Sequence, residues 1–237
     1  MRDEPAAAHQ ASAAALARAI DHTLLRPGST AEEIGRLVEE AGEHGFASVC
    51  VPPVFVTAAA RRLAGSAVHT GTVVGFPFGY VAPEIRIAES RRAIDDGAQE
   101  LDTVLNLSWL RGGEDRRVLD DLAGWVGAAR RQRADLVLKV ILETGLLERG
   151  EKLRAAYLVA EAGADFVKTS TGFGPSGATV EDVLLLAAAV GGRLQIKASG
   201  GIRDTAAARA LLAAGAIRLG TSSGVAIVLG ARTEAAG

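Results

Sequence analysis

The chain has 237 residues, of which 49% are apolar and 23% are charged, a composition typical of a globular protein with one well-filled core. Its 26 basic and 28 acidic residues give a net charge of −2, which excludes a broad basic surface for nucleic acid or anionic lipid. The single cysteine, Cys50, excludes an intrachain disulfide and favours a cytoplasmic location, and the apolar runs are too short to span a membrane.

Short apolar runs rich in β-branched residues recur along the chain, and each is followed by a helical pattern. Because parallel strands need a crossover between them, eight such units predict a parallel sheet covered by helices. Eight units also match a closed (β/α)₈ TIM barrel, and an open doubly wound sheet is the alternative. The predicted strands are Ala19–Leu24, Ala47–Val51, Val68–Gly75, Glu100–Leu105, Leu136–Leu142, Asp165–Thr169, Leu194–Ala198 and Ala216–Gly220.

Helix-end signals support this α/β alternation. Pro83 suits the first turn of a helix, and Gly97 suits the left-handed position that follows its end. No linker or low-complexity segment divides the chain. We therefore expect a single barrel domain over residues 15–230, with an N-terminal tail at 1–14 and a C-terminal tail at 231–237.

The lysines have an uneven distribution. The chain has 22 arginines but only four lysines, and Lys139, Lys168 and Lys197 lie inside the neighbouring fifth, sixth and seventh predicted strands. Arginine stays protonated, whereas a buried lysine can lose its proton, so these positions favour amine chemistry. Ion pairing and snorkelling to the rim are the alternatives. The pattern alone does not tell which of the three amines attacks a substrate.

A carboxylate lies inside the fourth predicted strand. The alternation of a strand places Asp102, Val104 and Asn106 on one face, one strand away from Lys139. A structural counter-ion and a proton-transfer group fit Asp102 equally well. Asp21, in the first predicted strand, is a similar but weaker candidate.

Glycine and serine follow the seventh and eighth predicted strands. Gly200 and Gly201 come after one of them, and Ser222 and Ser223 come after the other. Glycine lets backbone N–H groups approach an anion, and these two loops commonly bind phosphate in TIM barrels. The pattern predicts a phosphate site, with turns that merely need glycine as the alternative. The four histidines form no ligand cluster with Cys50, so we expect no metal.

Eight segments together resemble one family, the deoxyribose-phosphate aldolases, over residues 19–228. The most specific are the Lys-Thr-Ser-Thr-Gly segment at Lys168 and the Lys-Ala-Ser-Gly-Gly-Ile-Arg segment at Lys197. The segments are residues 20–25 (IDHTLL), 48–51 (SVCV), 74–77 (VGFP), 100–102 (ELD), 139–144 (KVILET), 165–173 (DFVKTSTGF), 197–203 (KASGGIR) and 220–224 (GTSSG).

The resemblance implies reversible cleavage of 2-deoxy-D-ribose 5-phosphate to D-glyceraldehyde 3-phosphate and acetaldehyde, without metal or cofactor, by a cytoplasmic homodimer. In the family pattern Lys168 forms the Schiff base, Lys197 lowers the pKa of Lys168, and Asp102 relays protons with Lys197. The positions that match phosphate or substrate binding are Gly172, Gly200, Gly201, Ser222 and Ser223, to which we add Asp21 and Lys139.

Two departures from the family pattern stand out. Some members end in a tyrosine that assists proton transfer, whereas residues 230–237 contain no aromatic side chain. Thr103 occupies a position that is usually apolar, and we expect it to be tolerated. Two other functions compete: a phosphosugar isomerase or metal-dependent aldolase on the same fold, and a barrel that binds sugar phosphate without catalysis. The first needs a carboxylate base or metal ligands, and the strand lysines argue against the second.

Overall fold

Eight short parallel strands pair in chain order: β1 (Ile20–Thr23), β2 (Ser48–Val51), β3 (His69–Val74), β4 (Glu100–Val104), β5 (Val137–Ile141), β6 (Phe166–Lys168), β7 (Gln195–Ser199) and β8 (Arg218–Thr221). In this computed structural model, which describes residues 11–236, β8 also pairs with β1 and closes the barrel. The prediction of a single-domain TIM barrel is therefore confirmed, and the open doubly wound sheet is wrong.

Helices cover the barrel between successive strands. Several of their starts are capped by side chains that accept backbone N–H groups; for example, Thr30 accepts from Glu33 and Asp204 accepts from Ala207. No helix among the described residues has both the length and the apolar character needed to cross a membrane. The helices are α1 (Ala13–Ala19), α2 (Ala31–His44), α3 (Val56–Arg62), α4 (Pro83–Asp95), α5 (Leu107–Arg111), α6 (Asp115–Gln132), α7 (Arg149–Glu161), α8 (Val180–Val190), α9 (Thr205–Ala213) and α10 (Gly224–Ala236).

The last helix is longer than the sequence indicates. Helix α10 runs to Ala236, so residues 231–236 of the predicted C-terminal tail continue this helix, and residue 237 lies outside the described residues. Ile227, Val228 and Ala231 are buried on the inner face of α10, and α10 packs against α1. This apolar face, together with the high helix propensity of alanine, explains why the helix continues. The predicted N-terminal tail ends earlier than expected, because α1 begins at Ala13, and residues 1–10 of that tail lie outside the described residues.

A buried arginine explains the unusual Thr103. The fully buried Arg86 donates from Nη1 to the Thr103 hydroxyl (3.1 Å) and to the Val104 carbonyl (2.9 Å). The Thr103 hydroxyl in turn donates to the Val74 carbonyl at 3.1 Å. A buried guanidinium needs partners for its N–H groups, so a hydroxyl suits this position on the outer face of the barrel.

Candidate active site

The register of four adjacent strands collects the predicted catalytic side chains inside the barrel. Asp102 on β4 pairs with Lys139 on β5, and Lys168 at the end of β6 pairs with Lys197 on β7. All four side chains are at most 3% exposed. None of the three lysines snorkels to the rim, so that alternative is wrong.

The carboxylate of Asp102 is the meeting point of the three lysines. Its Oδ2 accepts from the amino groups of Lys168, at 2.9 Å, and of Lys197, at 2.8 Å. Its Oδ1 accepts from the Lys139 amino group at 2.8 Å. Proton transfer among these groups is therefore possible without a large movement of any side chain.

A wider network of ion pairs surrounds this carboxylate. Lys139 lies 2.6 Å from Glu100 Oε2, and Lys197 lies 2.5 Å from Asp21 Oδ2. Arg218, on β8, contacts both of these outer carboxylates, with Nε 2.8 Å from Asp21 Oδ1 and Nη2 2.5 Å from Glu100 Oε1. The network is closed, because each outer carboxylate is shared by a lysine and the same arginine.

The pKa values distinguish the three lysines. Burial lowers the pKa of Lys168, with Asp102 opposing that effect and Lys197 reinforcing it. Burial also acts to lower the pKa of Lys197, but Asp102 and Asp21 outweigh it, and the pKa of Lys197 is raised. In the same way, Asp102 and Glu100 overcome burial and raise the pKa of Lys139. Lys168 is thus the candidate neutral amine, and the other two lysines are cations.

Electrostatic interactions with the three lysines keep the Asp102 carboxylate ionised. Burial alone would raise its pKa, but Lys139, Lys168 and Lys197 reverse that effect and hold the pKa well below its ordinary value. Asp102 is therefore a charged hydrogen-bond acceptor in a fixed position, and the ammonium group of Lys197 shares its Oδ2 with Lys168.

A cavity of about 270 Å³ opens at the carboxyl ends of the strands, where TIM-barrel active sites lie. Lys168 contributes to its wall, whereas Asp102 and Lys197 lie behind it. The lining residues are Thr23, Leu24, Leu25, Arg26, Lys168, Thr171, Gly172, Phe173, Ser199, Gly200, Gly201, Ile202, Arg203, Gly220, Thr221 and Ser222.

Four of the five predicted phosphate-binding residues line this cavity: Gly172, Gly200, Gly201 and Ser222. The three glycines have φ angles of 88°, 89° and 78°, which L side chains rarely adopt. Ser223 does not line the cavity. Its backbone N–H donates to the Thr221 hydroxyl at 2.9 Å, next to the start of α10.

Asp21 and Lys139 do not line the cavity, contrary to their predicted role in substrate binding. Both are at most 1% exposed and lie in the ion-pair network. The sequence placed both residues correctly inside predicted strands. It did not indicate their depth, because the depth of a strand residue depends on the register around the whole barrel.

Three lining residues with clear chemistry were missed. Arg26 and Arg203 are exposed guanidinium groups at the cavity, and Phe173 forms part of its wall. Each follows a predicted strand within a few residues, so position at a strand end was a usable signal. Arg26, which follows β1, and Arg203, which follows β7, were therefore identifiable from sequence as candidate anion ligands.

Glu143 is a buried residue to which the sequence analysis assigned no role, although it lies in the segment 139–144 that resembles the aldolase family. It has a φ of 54°, the only positive value at a non-glycine residue in the described part of the chain. Its carboxylate accepts from the backbone N–H of Thr171 at 3.2 Å and from the Thr171 hydroxyl. The Thr171 hydroxyl accepts in turn from the Phe173 N–H at 3.0 Å. A Cβ at Gly174 would lie 2.6 Å from Glu143 Cδ, so the loop packs closely over this side chain.

No three histidine, cysteine or carboxylate side chains come together as a metal-binding group within residues 11–236. The ionisable side chains at or behind the cavity wall are instead Arg26, Arg203 and the paired cations and carboxylates of the network. The arrangement as a whole places an amine with a lowered pKa at the wall of a cavity, beside an ionised carboxylate and a second, charged lysine, with glycine-rich loops at the rim.

The chain is similar to known aldolases in sequence and in fold. A family model described as DeoC/LacD family aldolase matches residues 15–230. The chain belongs to this aldolase family. Among its relatives in the family, the deoxyribose-phosphate aldolase of Brevibacillus brevis is 52% identical, over 92% of this chain and 97% of the relative. The deoxyribose-phosphate aldolase of Caldanaerobacter subterraneus is 51% identical, over 90% and 92%. A crystal structure of a putative deoxyribose-phosphate aldolase from Coccidioides immitis matches with a TM-score of 0.88 and 41% identity, over 93% of this chain and 87% of that one.

Proposed function

We propose that this aldolase cleaves 2-deoxy-D-ribose 5-phosphate reversibly to D-glyceraldehyde 3-phosphate and acetaldehyde, through an imine on Lys168. The relatives that are about half identical over nearly the whole chain carry the name of this activity. The observation that carries the assignment to Lys168 is its lowered pKa at the wall of the cavity, in contact with an ionised carboxylate.

The reaction begins at the aldehyde carbon of the open-chain sugar. The neutral amine of Lys168 attacks C1, and loss of water gives a protonated imine. A base removes the proton of the C3 hydroxyl, the bond between C2 and C3 breaks, and its electrons flow into the iminium group. D-Glyceraldehyde 3-phosphate leaves, and an enamine of two carbons stays on Lys168. Protonation of C2 and hydrolysis of the imine release acetaldehyde.

Lys197 and Asp102 supply the proton steps in this scheme. The ammonium group of Lys197 donates the protons needed for loss of water and for protonation of the enamine. Asp102 accepts from both lysines at once, so it holds their amino groups close together and returns protons between them.

The rim of the cavity binds the phosphate. The loops at Gly172, Gly200 and Gly201 bring backbone N–H groups close to an anion, and the start of α10 adds a favourable dipole. Arg26 and Arg203 contribute positive charge at the same rim. The aldehyde end of the sugar then lies toward Lys168 and the phosphate end toward solvent.

Borohydride reduction in the presence of acetaldehyde tests the proposal. We expect the imine to be reduced to a stable two-carbon adduct, with loss of activity and with the added mass on the peptide that contains Lys168. Lys152 is the internal control, because its amino group is paired with Asp182 at 2.6 Å on the outside of the barrel. Modification at Lys139 or Lys152 in place of Lys168 would contradict the assignment.

The proposal also includes a homodimer in the cytoplasm. Tyr157, Val180 and Leu184 expose apolar side chains on the neighbouring helices α7 and α8, a surface suited to a second copy. Cys50 is buried and free, and burial raises the pKa of its thiol to about 11, which suits a reducing compartment. Light scattering of the purified protein measures the oligomeric state directly.

A further inference from the structure

The ion-pair network contains unequal numbers of acids and bases. Among the described residues it has three carboxylates, Asp21, Glu100 and Asp102, and four basic groups, Lys139, Lys168, Lys197 and Arg218. If one basic group is uncharged, three cations balance three carboxylates. Net charge is costly in a buried site, so the network as a whole favours the state in which one lysine is neutral.

Glu100 and Arg218 form the end of the network that is farthest from substrate. Both are the first residues of their strands, whereas Lys168 is the last residue of its strand. A chain of short contacts connects the two ends: Glu100 to Lys139 at 2.6 Å, Lys139 to Asp102 at 2.8 Å, and Asp102 to Lys168 at 2.9 Å. Neither Glu100 nor Arg218 lines the cavity.

Few other titratable groups face the two ends of the network. Lys168 faces Asp102 from β4, Lys197 from β7 and the neutral thiol of Cys50 from β2, with Lys139 and Asp21 beyond them. At the far end, His69 Nδ1 lies 2.9 Å from Glu100 Oε1, and the His69 side chain is 43% exposed. The network therefore reaches the cavity through Lys168 at one end of the barrel and contacts the partly exposed His69 at the other end.

We propose that Glu100 and Arg218 set the protonation state of Lys168 by completing the charge balance of the network, although neither residue touches substrate. They are positioning residues, which act on the amine through Lys139, Lys197 and Asp102. The inference deepens the proposed function and rests on Lys168 as the amine that forms the imine.

The two residues have opposite effects. Removal of the negative charge of Glu100 makes a charged Lys168 less favourable, so the neutral amine persists to lower pH. Removal of the positive charge of Arg218 makes a charged Lys168 more favourable, so the neutral amine appears only at higher pH. A unit charge about 8 Å away, at an effective dielectric constant of about 20, changes such an equilibrium by roughly ten- to thirtyfold, or about 1 to 1.5 pH units.

The experiment measures the rate of borohydride trapping with acetaldehyde as a function of pH, in the full-length protein and its variants. We expect the midpoint of the rising limb to move down by about one pH unit in Glu100→Gln and up by about one unit in Arg218→Met. The double variant removes one charge of each sign and should return the midpoint close to that of the unmodified protein. Arg218→Lys keeps the charge and should leave the midpoint in place.

The outcomes separate this inference from the proposed function. If the unmodified protein gives no adduct on Lys168, the proposed function fails. If the unmodified protein is trapped but both single variants lose activity with unmoved midpoints, or with midpoints moved in the same direction, the charge-balance inference is wrong. Circular dichroism checks folding, and if Arg218→Met does not fold, the downward shift of the isosteric Glu100→Gln decides the question alone.

Discussion

The interior of the barrel and the rim of the cavity form two parts of one site, and they are built differently. In the interior, charged side chains at most 3% exposed pair with one another around Asp102. At the rim, glycines with positive φ, such as Gly200 and Gly201, expose backbone groups beside the exposed side chain of Arg203. Charges in the interior are weakly screened and act on the protonation of their neighbours, whereas the role that we propose for the rim is to bind the phosphate of the substrate.

This difference predicts how the two regions respond to substitution. A change in the interior should alter kcat and the pH dependence of the chemistry. A change at the rim should alter KM for phosphorylated substrate and leave the pH dependence in place. Variants that fail to follow this division would show that the two regions are more closely coupled than their geometry indicates.

The largest effect is expected from Lys168→Leu. Loss of the nucleophile removes the covalent route, so kcat should fall by at least about 10⁴-fold, and borohydride trapping should vanish at every pH. Lys152→Leu is the matched control and should keep full activity, because Lys152 lies on the outside of the barrel. Residual trapping on another lysine in Lys168→Leu would locate the imine elsewhere in the interior.

Lys197→Leu should lower kcat by about 10²- to 10⁴-fold through loss of the proton donor. The sign of the pH effect follows from charge. Without the Lys197 cation, the pKa of Lys168 rises, so the rising limb of trapping against pH should move upward, and trapping at high pH should persist on Lys168.

Lys197→Arg is the control for this variant, because it keeps the charge but removes an amine that can release a proton. It should trap better than Lys197→Leu near neutral pH while turnover stays poor. Unchanged trapping and turnover in Lys197→Leu would make Lys197 a structural cation only.

At the rim, Gly201→Asp should raise KM for the phosphorylated sugar by about tenfold or more, because a carboxylate repels phosphate. Cleavage of unphosphorylated deoxyribose should change far less. Gly192→Asp is the matched control: Gly192 also has positive φ (81°) and open space where a Cβ would lie, but it comes before β7, at the opposite end of the barrel. Equal losses on both sugars would mean that Gly201 serves the loop structure alone.

Glu143 tests the boundary between the two regions, and its expected effect is the smallest. Glu143→Ala removes the acceptor that holds Thr171, at a cost of about 1–3 kcal/mol in the free energy of unfolding. KM for the phosphorylated sugar should rise severalfold, because the loop that carries Gly172 loosens, and the pH dependence of trapping should stay in place. Glu143→Gln keeps an acceptor oxygen and should recover much of the affinity. A shifted pH profile in Glu143→Ala would place Glu143 functionally with the interior.

The sequence was sufficient for the features that depend on local pattern. The α/β alternation predicted the barrel, and three lysines in neighbouring apolar strands predicted an amine site, because both signals need only strand order. The roles of Glu100 and Arg218 were not predicted, since their contacts form between β4 and β8, strands that meet only across the interior of the closed barrel.

Other features depend on tertiary packing in the same way. The positive φ of Glu143 has no local signal, because glutamate disfavours that conformation, and surrounding contacts must hold it there. The extension of α10 through residue 236 depends on burial of Ala231 against the rest of the fold. From sequence, residues 231–236 were described as a tail, because the small and charged residues around Ala231 do not indicate that this segment packs against α1.

The packing of α1 against α10 brings the first and last described helices side by side. The described part of the chain therefore begins and ends at one location on the outside of the barrel, where Arg209 contacts both Ala11 and Glu234. A short linker between them would make a covalently circular chain, which could be reopened in an exposed loop such as the one at Gly113. Domains inserted just before α1 and near the end of α10 would likewise emerge from the same side of the molecule, and they would be neighbours.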